Sequence, residues 1–287
     1  MSKKGLKTPL RYPGGKSRAC TKMGQYFPDL REYVEFREPF LGGGSVAIHV
    51  SKLYPHLKIT VNDLYEPLIN FWMNLQMFGD ELSTNLKNLK IAHPNQDSAR
   101  CLFAEMKDVI NDSTQNNLDR AVAFYIVNKC SFSGLTESSS FSAQASDSNF
   151  SLRGIEKLPE YSEIISHWHI NSYSYEYCFR TDIHDGLFMY LDPPYDIKDN
   201  LYGKKGAMHK SFDHDKFAAD CDAHNDTKML ISYNSDQLVK DRFKNWNASE
   251  FKLTYTMRSV GEYMREQQER KELLLFNYKL SEVTVDE

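Results

Sequence analysis

The strongest constraint on the fold is a strand, a glycine turn, a helix and a second strand that follow one another within residues 33–63. Tyr33-Val34-Glu35-Phe36 has the composition of a strand and leads into Glu38-Pro39-Phe40-Leu41-Gly42-Gly43-Gly44, after which apolar residues recur at helical spacing. Lys58-Ile59-Thr60-Val61-Asn62 then reads as another strand, which ends at Asp63. This order predicts a βαβ unit and therefore parallel strands.

Further strands are predicted in the second half of the chain. Leu187-Phe188-Met189-Tyr190-Leu191 is a continuous apolar run, as expected of a strand buried on both faces, and Met229-Leu230-Ile231-Ser232-Tyr233 and Leu273-Leu274-Leu275-Phe276 are similar. Residues 251–255 and 271–278 are predicted to pair as an antiparallel hairpin at one edge of the sheet. The fold class is therefore α/β, with a mostly parallel sheet.

Residues 79–165 differ from both α/β stretches. They begin with helical spacing through residues 118–127 and then become polar, with nine serines among the 21 residues of 131–151. Phenylalanines interrupt these serines, which is the composition of a long loop. We therefore predict a catalytic domain made of residues 1–78 and 166–287, and a smaller, mainly helical and loop insertion at 79–165.

Charge and composition restrict the class of protein only broadly. The net charge is −4, yet residues 1–22 contain seven basic residues and no acid, and a second basic cluster lies within residues 198–216. No apolar run is long enough to span a membrane, and the five cysteines are far apart, as in a reduced cytoplasmic protein. His167-Trp168-His169 has no third ligand at metal-site spacing, so no metal is expected.

The glycine turn carries a nucleotide-binding pattern. Gly42-x-Gly44-x-x-Ala47 fits the dinucleotide fingerprint, and Asp63 follows about 20 residues later, where an acid can accept hydrogen bonds from ribose hydroxyls. Both NAD and S-adenosylmethionine contain an adenosine, so the turn alone does not choose between them. A phosphate-binding P-loop ending at Lys16 is excluded, because that motif needs a glycine where Leu10 stands.

The segment Asp192-Pro193-Pro194-Tyr195 directly follows the apolar run at 187–191. Two prolines stiffen the backbone and remove two N–H donors, so that the Asp192 carboxylate and the Pro193 carbonyl form a pair of acceptors for an amino group. Tyr195 offers a flat face on which a planar base can stack. In an open α/β sheet such a segment lies at the ligand-binding edge.

Together these motifs resemble the Dam-type, or D12 class, DNA adenine N6-methyltransferases, in the order of that family and over nearly the whole chain. Leu10-Arg11-Tyr12-Pro13-Gly14-Gly15-Lys16, Glu38–Ser45, Asn62-Asp63, Asn128–Gly134 and Asp192–Tyr195 match its successive motifs, and Ser232-Tyr233-Asn234 and Glu272–Leu275 match its later strands. One stretch departs from the pattern: Ile170-Asn171-Ser172-Tyr173-Ser174 lacks the acid that relatives often carry there.

The resemblance implies a Rossmann-like class I methyltransferase fold with an inserted DNA-recognition region, and S-adenosyl-L-methionine as the methyl donor. The residues implied to bind this cofactor are Tyr12, Lys16, Glu38, Phe40, Gly42, Gly44, Asp63 and Asp192. The residues implied to be catalytic are Asp192, Pro193 and Tyr195.

The implied substrate is an adenine flipped out of double-stranded DNA, since its exocyclic amine is otherwise held in base pairing. The candidate DNA-binding residues are Lys7, Arg11, Asn128, Ser133, Arg153, Lys204 and Lys205. A further implied partner is a restriction endonuclease that acts on the same site.

Three other functions stay open on sequence grounds. An NAD-linked oxidoreductase would use the glycine turn but leaves residues 192–195 unexplained. An RNA or protein amine methyltransferase would use the same acceptor pair on another planar amine. A non-catalytic DNA-binding relative would not need the acceptor pair at all.

Overall fold

The computed structural model describes residues 6–134, 136, 139–195, 212–253 and 270–280 of the 287-residue chain. Within these ranges seven strands form a sheet in the order β3-β2-β1-β4-β5-β7-β6. The strands are β1 (Glu35–Glu38), β2 (Lys58–Asn62), β3 (Trp168–Asn171), β4 (Leu187–Leu191), β5 (Lys228–Asn234), β6 (Asn247–Leu253) and β7 (Arg270–Phe276).

The topology of this sheet confirms the predicted α/β class. Strands β3, β2, β1, β4 and β5 run parallel, whereas β7 pairs antiparallel with both β5 and β6 at the edge. The chain leaves β1 towards β2 on one side and returns through β4 on the other. Strands β1 and β4 are therefore neighbours at a topological switch point, where an open α/β sheet has its ligand crevice at the carboxyl ends of the strands.

The helices have the following bounds: α1 (Cys20–Met23), α2 (Ser45–Leu53), α3 (Glu66–Ala92), α4 (Gln96–Val109), α5 (Asn117–Cys130), α6 (Ala143–Ser148), α7 (Leu152–Ile155), α8 (Leu158–Ile165), α9 (Glu176–Arg180), α10 (His214–Ala223) and α11 (Gln237–Arg242). Short 3₁₀ turns lie at Gly24–Tyr26, Leu30–Glu32 and Phe132–Gly134. None of the helices in the described ranges has the length and apolar character needed to cross a bilayer.

The burial of strand β4 on both faces explains why its sequence is apolar throughout. Its side chains alternate between two buried clusters, with Phe188 and Tyr190 in one and Leu187, Met189 and Leu191 in the other. All five are at most 1% exposed. The strand is therefore covered on both faces, and the residue that follows it is held rigidly at the edge of the sheet.

The serine-rich stretch is more ordered than its composition predicts. Helices α6 and α7 lie within or next to it, and their N-caps are Ser142 and Ser151, whose hydroxyls accept hydrogen bonds from backbone N–H groups three residues later. Phe150 between them is fully buried. The prediction of one long loop at 131–151 is wrong here, because serine is as characteristic of helix N-caps as of loops.

Helix α3 crosses the predicted boundary between residues 78 and 79. It is kinked at Phe78, whose φ of −131° and ψ of 37° are not helical. The next residue, Gly79, lies against Ser162, which a Cβ there would approach to 2.5 Å. The division into a catalytic domain and an insertion stays a prediction.

Candidate active site

A cavity of about 340 Å³ opens at the carboxyl ends of β1, β2 and β4, at the switch point of the sheet. This volume is in the range of small-molecule pockets. The predicted cofactor residues that line it are Tyr12, Lys16, Glu38, Phe40, Gly42, Asp63 and Asp192. Gly44 is not among the lining residues. The structure thus brings together, from four separate parts of the chain, most of the residues that the sequence assigned to a cofactor.

The glycine turn between β1 and α2 is shaped by contacts that exclude side chains. Gly42 and Gly44 have φ values of +48° and +65°, which favour glycine. A Cβ on Gly44 would lie 2.7 Å from the indole of Trp72, and one on Gly42 would lie 2.8 Å from the ring of Tyr12. The Trp72 Nε1–H also donates to the Gly42 carbonyl at 3.2 Å. The turn is therefore held between two aromatic side chains.

Two carboxylates, the buried Glu38 and the partly exposed Asp63, accept hydrogen bonds from backbone N–H groups around this turn. Asp63 accepts from the N–H of Gly42 at 2.9 Å and from that of Tyr65 at 3.0 Å. Glu38 accepts from the N–H of Ala47 in the first turn of α2 at 2.8 Å. Burial raises the pKa of both carboxyls, that of Glu38 well above its ordinary value. Ionised, both would attract a positively charged ligand.

Asp192 leaves the end of β4 and points into the same cavity. The Lys16 ammonium lies 2.8 Å from its Oδ1 and 2.9 Å from its Oδ2, and Ser232 Oγ donates to Oδ1 at 2.7 Å. Burial raises the pKa of Asp192, and Lys16 opposes this rise. Burial also disfavours the charge on Lys16, but Asp192 and Glu272 hold the pKa of that amine well above its ordinary value. The two carboxylates therefore stabilise the charged form of Lys16.

The other two predicted catalytic residues lie beside the cavity and do not line it. Pro193 is buried, whereas Pro194 is a lining residue. The Tyr195 hydroxyl donates to Glu272, and its ring stacks on that of Tyr233 with the centroids 5.9 Å apart and an angle of 26° between the planes. The buried Tyr233 thus supports the ring of Tyr195 and fixes its plane.

Among the described residues, acidic side chains outnumber basic ones on the cavity wall. The acids are Glu38, Asp63, Glu176, Asp192 and Asp213, and the lysines are Lys16 and Lys216. Lys216 is already paired with Glu176 at 3.1 Å. An aromatic wall adjoins these acids, where Phe40 stacks on Tyr175 with the centroids 5.6 Å apart. The cavity therefore favours a ligand that has a planar ring and a net positive charge.

Two of the predicted DNA-binding residues bind each other. Asn128 is fully buried, and its amide accepts from the Arg11 N–H at 2.9 Å and donates to the Arg11 carbonyl at 2.7 Å. Its amide thus ties the N-terminal segment to α5, and a contact of Asn128 with DNA stays a prediction. The Arg11 guanidinium donates to the Ser131 carbonyl at 2.7 Å and is partly exposed.

Of the remaining predicted DNA-binding residues, two have side chains that the structure describes. Lys7 and Arg153 are exposed. Lys204, Lys205 and the side chain of Ser133 lie outside the described residues.

Some residues at the site were not assigned a role from the sequence. Ser232 and Glu272 were noted only as parts of strands, although a buried acid at the start of an apolar strand is a usable signal. Glu176 supplies a lining carboxylate two residues beyond the stretch that departs from the family pattern. Lys129, at the end of α5, lies next to Arg11, and burial, aided by that guanidinium, lowers its pKa to about 8.

Comparison with known proteins agrees with this geometry. The family model for D12 class N6 adenine-specific DNA methyltransferases matches residues 12–257. The chain is 23% identical over 270 residues to the type II methyltransferase M1.LlaDCHI of Lactococcus lactis subsp. cremoris, covering 89% of this chain and 90% of that protein. It is 23% identical over 203 residues to the type II methyltransferase M.CviBI of Paramecium bursaria Chlorella virus NC1A, covering 69% of this chain and 72% of that one.

A shorter match covers less of its relative. The chain is 27% identical over 127 residues to the DNA N-6-adenine-methyltransferase of Escherichia phage P1, which is 44% of this chain but only 15% of the phage protein. The family model, in contrast, spans most of the chain and includes both the glycine turn and residues 192–195. The chain therefore belongs to the D12 class of N6 adenine-specific DNA methyltransferases.

Proposed function

We propose that this protein transfers a methyl group from S-adenosyl-L-methionine to the exocyclic amine of an adenine in double-stranded DNA, at a specific sequence. The observation that carries the proposal is that Asp192 and Asp63 line one cavity with the Gly42 turn. The acceptor for an amine and the acid for a ribose thus lie within reach of a single bound cofactor. Two of the similar proteins are named as type II methyltransferases, which supports action at a specific site.

The charged side chains of the cavity fit S-adenosylmethionine better than they fit NAD. The sulfonium cofactor carries a net positive charge, whereas the pyrophosphate of NAD is an anion. Glu38, Asp63 and Asp192, when ionised, attract the first and repel the second. In this proposal Asp63 holds the ribose, the Phe40 wall contacts the adenine ring, and Tyr12 and Lys16 close the cavity from the N-terminal side.

The chemistry asked of the protein is alignment and electrostatic stabilisation. When bound, S-adenosylmethionine supplies an electrophilic methyl group on a sulfonium. The adenine amine is a weak nucleophile, because its lone pair is delocalised into the ring. Asp192 and the Pro193 carbonyl accept its two N–H groups and thereby localise the lone pair on nitrogen. Holding the amine in place also contributes the entropic part of the rate acceleration.

A target adenine has to leave the duplex to reach Asp192. Unstacking costs a few kcal/mol, which new contacts must offset. We propose that the flipped base stacks on Tyr195, whose ring plane is fixed by Tyr233. Because the Tyr195 ring is already ordered, stacking a base on it costs less side-chain conformational entropy than stacking on a mobile side chain would.

We propose that phosphate contacts come from the N-terminal segment and the end of α5. Arg11 and Lys129 lie side by side there, next to Tyr12 and Gly134, which line the cavity. Lys7 and Arg153 are exposed and stay predicted DNA contacts. Lys204 and Lys205 stay predicted contacts, as does a cognate restriction endonuclease as a partner.

Two measurements test this function. Calorimetry should show binding of S-adenosylmethionine and none of NAD at the same concentration. Incubation with cofactor labelled in the methyl group should then transfer label to duplex DNA and not to RNA or protein. Binding of NAD, or transfer to RNA or protein in preference to DNA, would contradict the proposal.

A further inference from the structure

Lys16 lies between two carboxylates, the partly exposed Asp192 that follows β4 and the buried Glu272 on β7. Its Nζ is 2.8 Å from Asp192 Oδ1 and 3.3 Å from Glu272 Oε1, on β7. Lys16 and Glu272 are 2% and 1% exposed. Glu272 does not line the cavity, and it has no place in the function proposed above. Burying a carboxylate costs free energy, so a buried acid on this strand calls for a structural or functional explanation.

The contacts of Glu272 reach both neighbours of the proposed amine site. Its Oε1 accepts the hydroxyl of Tyr195 and also faces the Lys16 ammonium, which lies 4.9 Å from the centre of the Tyr195 ring. Tyr195 is three residues beyond Asp192, and Lys16 touches both oxygens of Asp192. One carboxylate on β7 therefore orients the ring and the cation on either side of the amine acceptor.

The second carboxylate also changes the charge of the group. Asp192 and Lys16 alone would form a neutral pair, with the ammonium drawing on both Asp192 oxygens. With Glu272 the three side chains carry one net negative charge, so Asp192 stays a good hydrogen-bond acceptor although Lys16 and Ser232 already use three of its sites. A carboxylate has about four such sites, which leaves one for an incoming amine.

We propose that Glu272 is a positioning residue for methyl transfer, which holds Lys16 and Tyr195 around Asp192 and keeps Asp192 negative enough to accept the adenine amine. This inference rests on the proposed function. Glu272 acts through the other two side chains and touches neither substrate.

The sign of the expected pH effect follows from the groups that face Asp192. These are Lys16 from the N-terminal segment, Glu272 from β7, Glu38 from β1, and the hydroxyls of Ser232 and Tyr190. Burial raises the pKa of Asp192, Lys16 lowers it and Glu272 raises it. Removing the charge of Glu272 therefore lowers the pKa of Asp192. The acid limb of the pH–rate profile, where the rate falls at low pH, then moves to lower pH.

The test compares Glu272→Gln with the wild-type protein in single-turnover methylation of DNA at saturating cofactor. We expect the rate to fall by about 10- to 100-fold, the size of effect that a small misplacement has, while the Kd for S-adenosylmethionine changes by less than about threefold. The acid limb should shift to lower pH. Glu272→Asp keeps the charge, so its acid limb should stay at the wild-type position.

A matched control is Glu35→Gln. Glu35 is also buried in the sheet and paired with an arginine, Arg37, at 2.7 Å, but it does not line the cavity. This variant should lose thermal stability and keep the wild-type rate and acid limb.

A wild-type rate and acid limb in Glu272→Gln would overturn the inference, as would an equal shift of the acid limb in Glu272→Asp. A wild-type protein that methylates no DNA would instead overturn the proposed function.

Discussion

The carboxylate of Asp63 accepts the backbone N–H of Gly42 at 2.9 Å. This hydrogen bond joins the acid at the end of β2 to the glycine turn at the end of β1, two features that the sequence separates by 21 residues. It fixes the carboxylate at the position where a ribose is expected, and it fixes the turn where we propose that the backbone contacts the cofactor. The nucleotide-binding pattern is thus one physical unit in this protein.

Replacing Asp63 should weaken cofactor binding more than catalysis. Asp63→Asn substitutes a neutral amide for a charged acceptor, and hydrogen bonds to charged groups contribute about 1.5–3 kcal/mol. We expect the Kd for S-adenosylmethionine to rise by at least about tenfold, with a rate at saturating cofactor close to wild type. Calorimetry and kinetics measure the two quantities. Asp29→Asn, at an exposed helix cap, should leave both unchanged, and an unchanged Kd in Asp63→Asn would remove it from the ribose.

The glycine turn should not tolerate a methyl group at position 44. Gly44→Ala combines a positive φ with a Cβ 2.7 Å from Trp72. We expect the free energy of unfolding to fall by about 1–3 kcal/mol, with weaker cofactor binding. The control is Gly24→Ala, where φ is −56° and no atom lies within 4 Å of the added Cβ. Thermal or urea unfolding that ranks the two variants equally would contradict this account of the turn.

Cofactor affinity should fall at acidic pH. Burial raises the pKa of Glu38, Asp63 and Asp192, so the folded protein without ligand holds their protons to higher pH than the unfolded chain does. Their ionisation therefore costs folding free energy as pH rises. A cationic ligand stabilises the ionised forms, which means that binding releases protons and weakens as the pH falls through these raised values.

A matched ligand isolates the charge effect. S-adenosylhomocysteine has a neutral sulfur in place of the sulfonium, so its affinity should depend less on pH. Titration calorimetry in buffers of different ionisation enthalpy reports the protons released. Equal pH dependence for the two ligands would show that these three carboxyl groups do not respond to the sulfonium charge.

Lys129 should contribute one ionic contact with DNA. Burial and the neighbouring Arg11 lower its pKa to about 8, so the charge that a phosphate would favour is lost as the pH rises through that value. Lys129→Gln should weaken DNA binding and reduce the slope of log K against log salt by about 1. Lys240→Gln is the control, since Lys240 is paired with Glu250 at 2.5 Å. Identical slopes for Lys129→Gln and wild type would exclude the contact.

Much of the fold was predictable, because it follows from local patterns. A run buried on both faces, such as 187–191, and a glycine turn after a strand are visible in the sequence. The first strand begins at Glu35, two residues later than predicted, and the apolar Val34 before it is 59% exposed. Composition alone does not show whether a side chain faces the core or the solvent.

The site was less predictable where partners are distant in sequence. Lys16 and Asp192 are 176 residues apart, and their contact with Glu272 depends on the position of β7 in the sheet. Asn128 resembles a surface residue of a recognition motif, yet it binds the backbone of Arg11. An asparagine amide serves either purpose equally well, so only the three-dimensional arrangement decides.

The most direct test of the account is to identify the nucleoside that carries the transferred methyl group. Duplex DNA incubated with labelled S-adenosylmethionine is digested to nucleosides and analysed by mass spectrometry, with wild-type protein and with Asp192→Asn. We predict N6-methyldeoxyadenosine from the wild type and a rate at least about 100-fold lower from the variant, which should remain folded by circular dichroism. Label in cytosine, or a variant as fast as wild type, would contradict the assignment of Asp192 as the acceptor of the adenine amine.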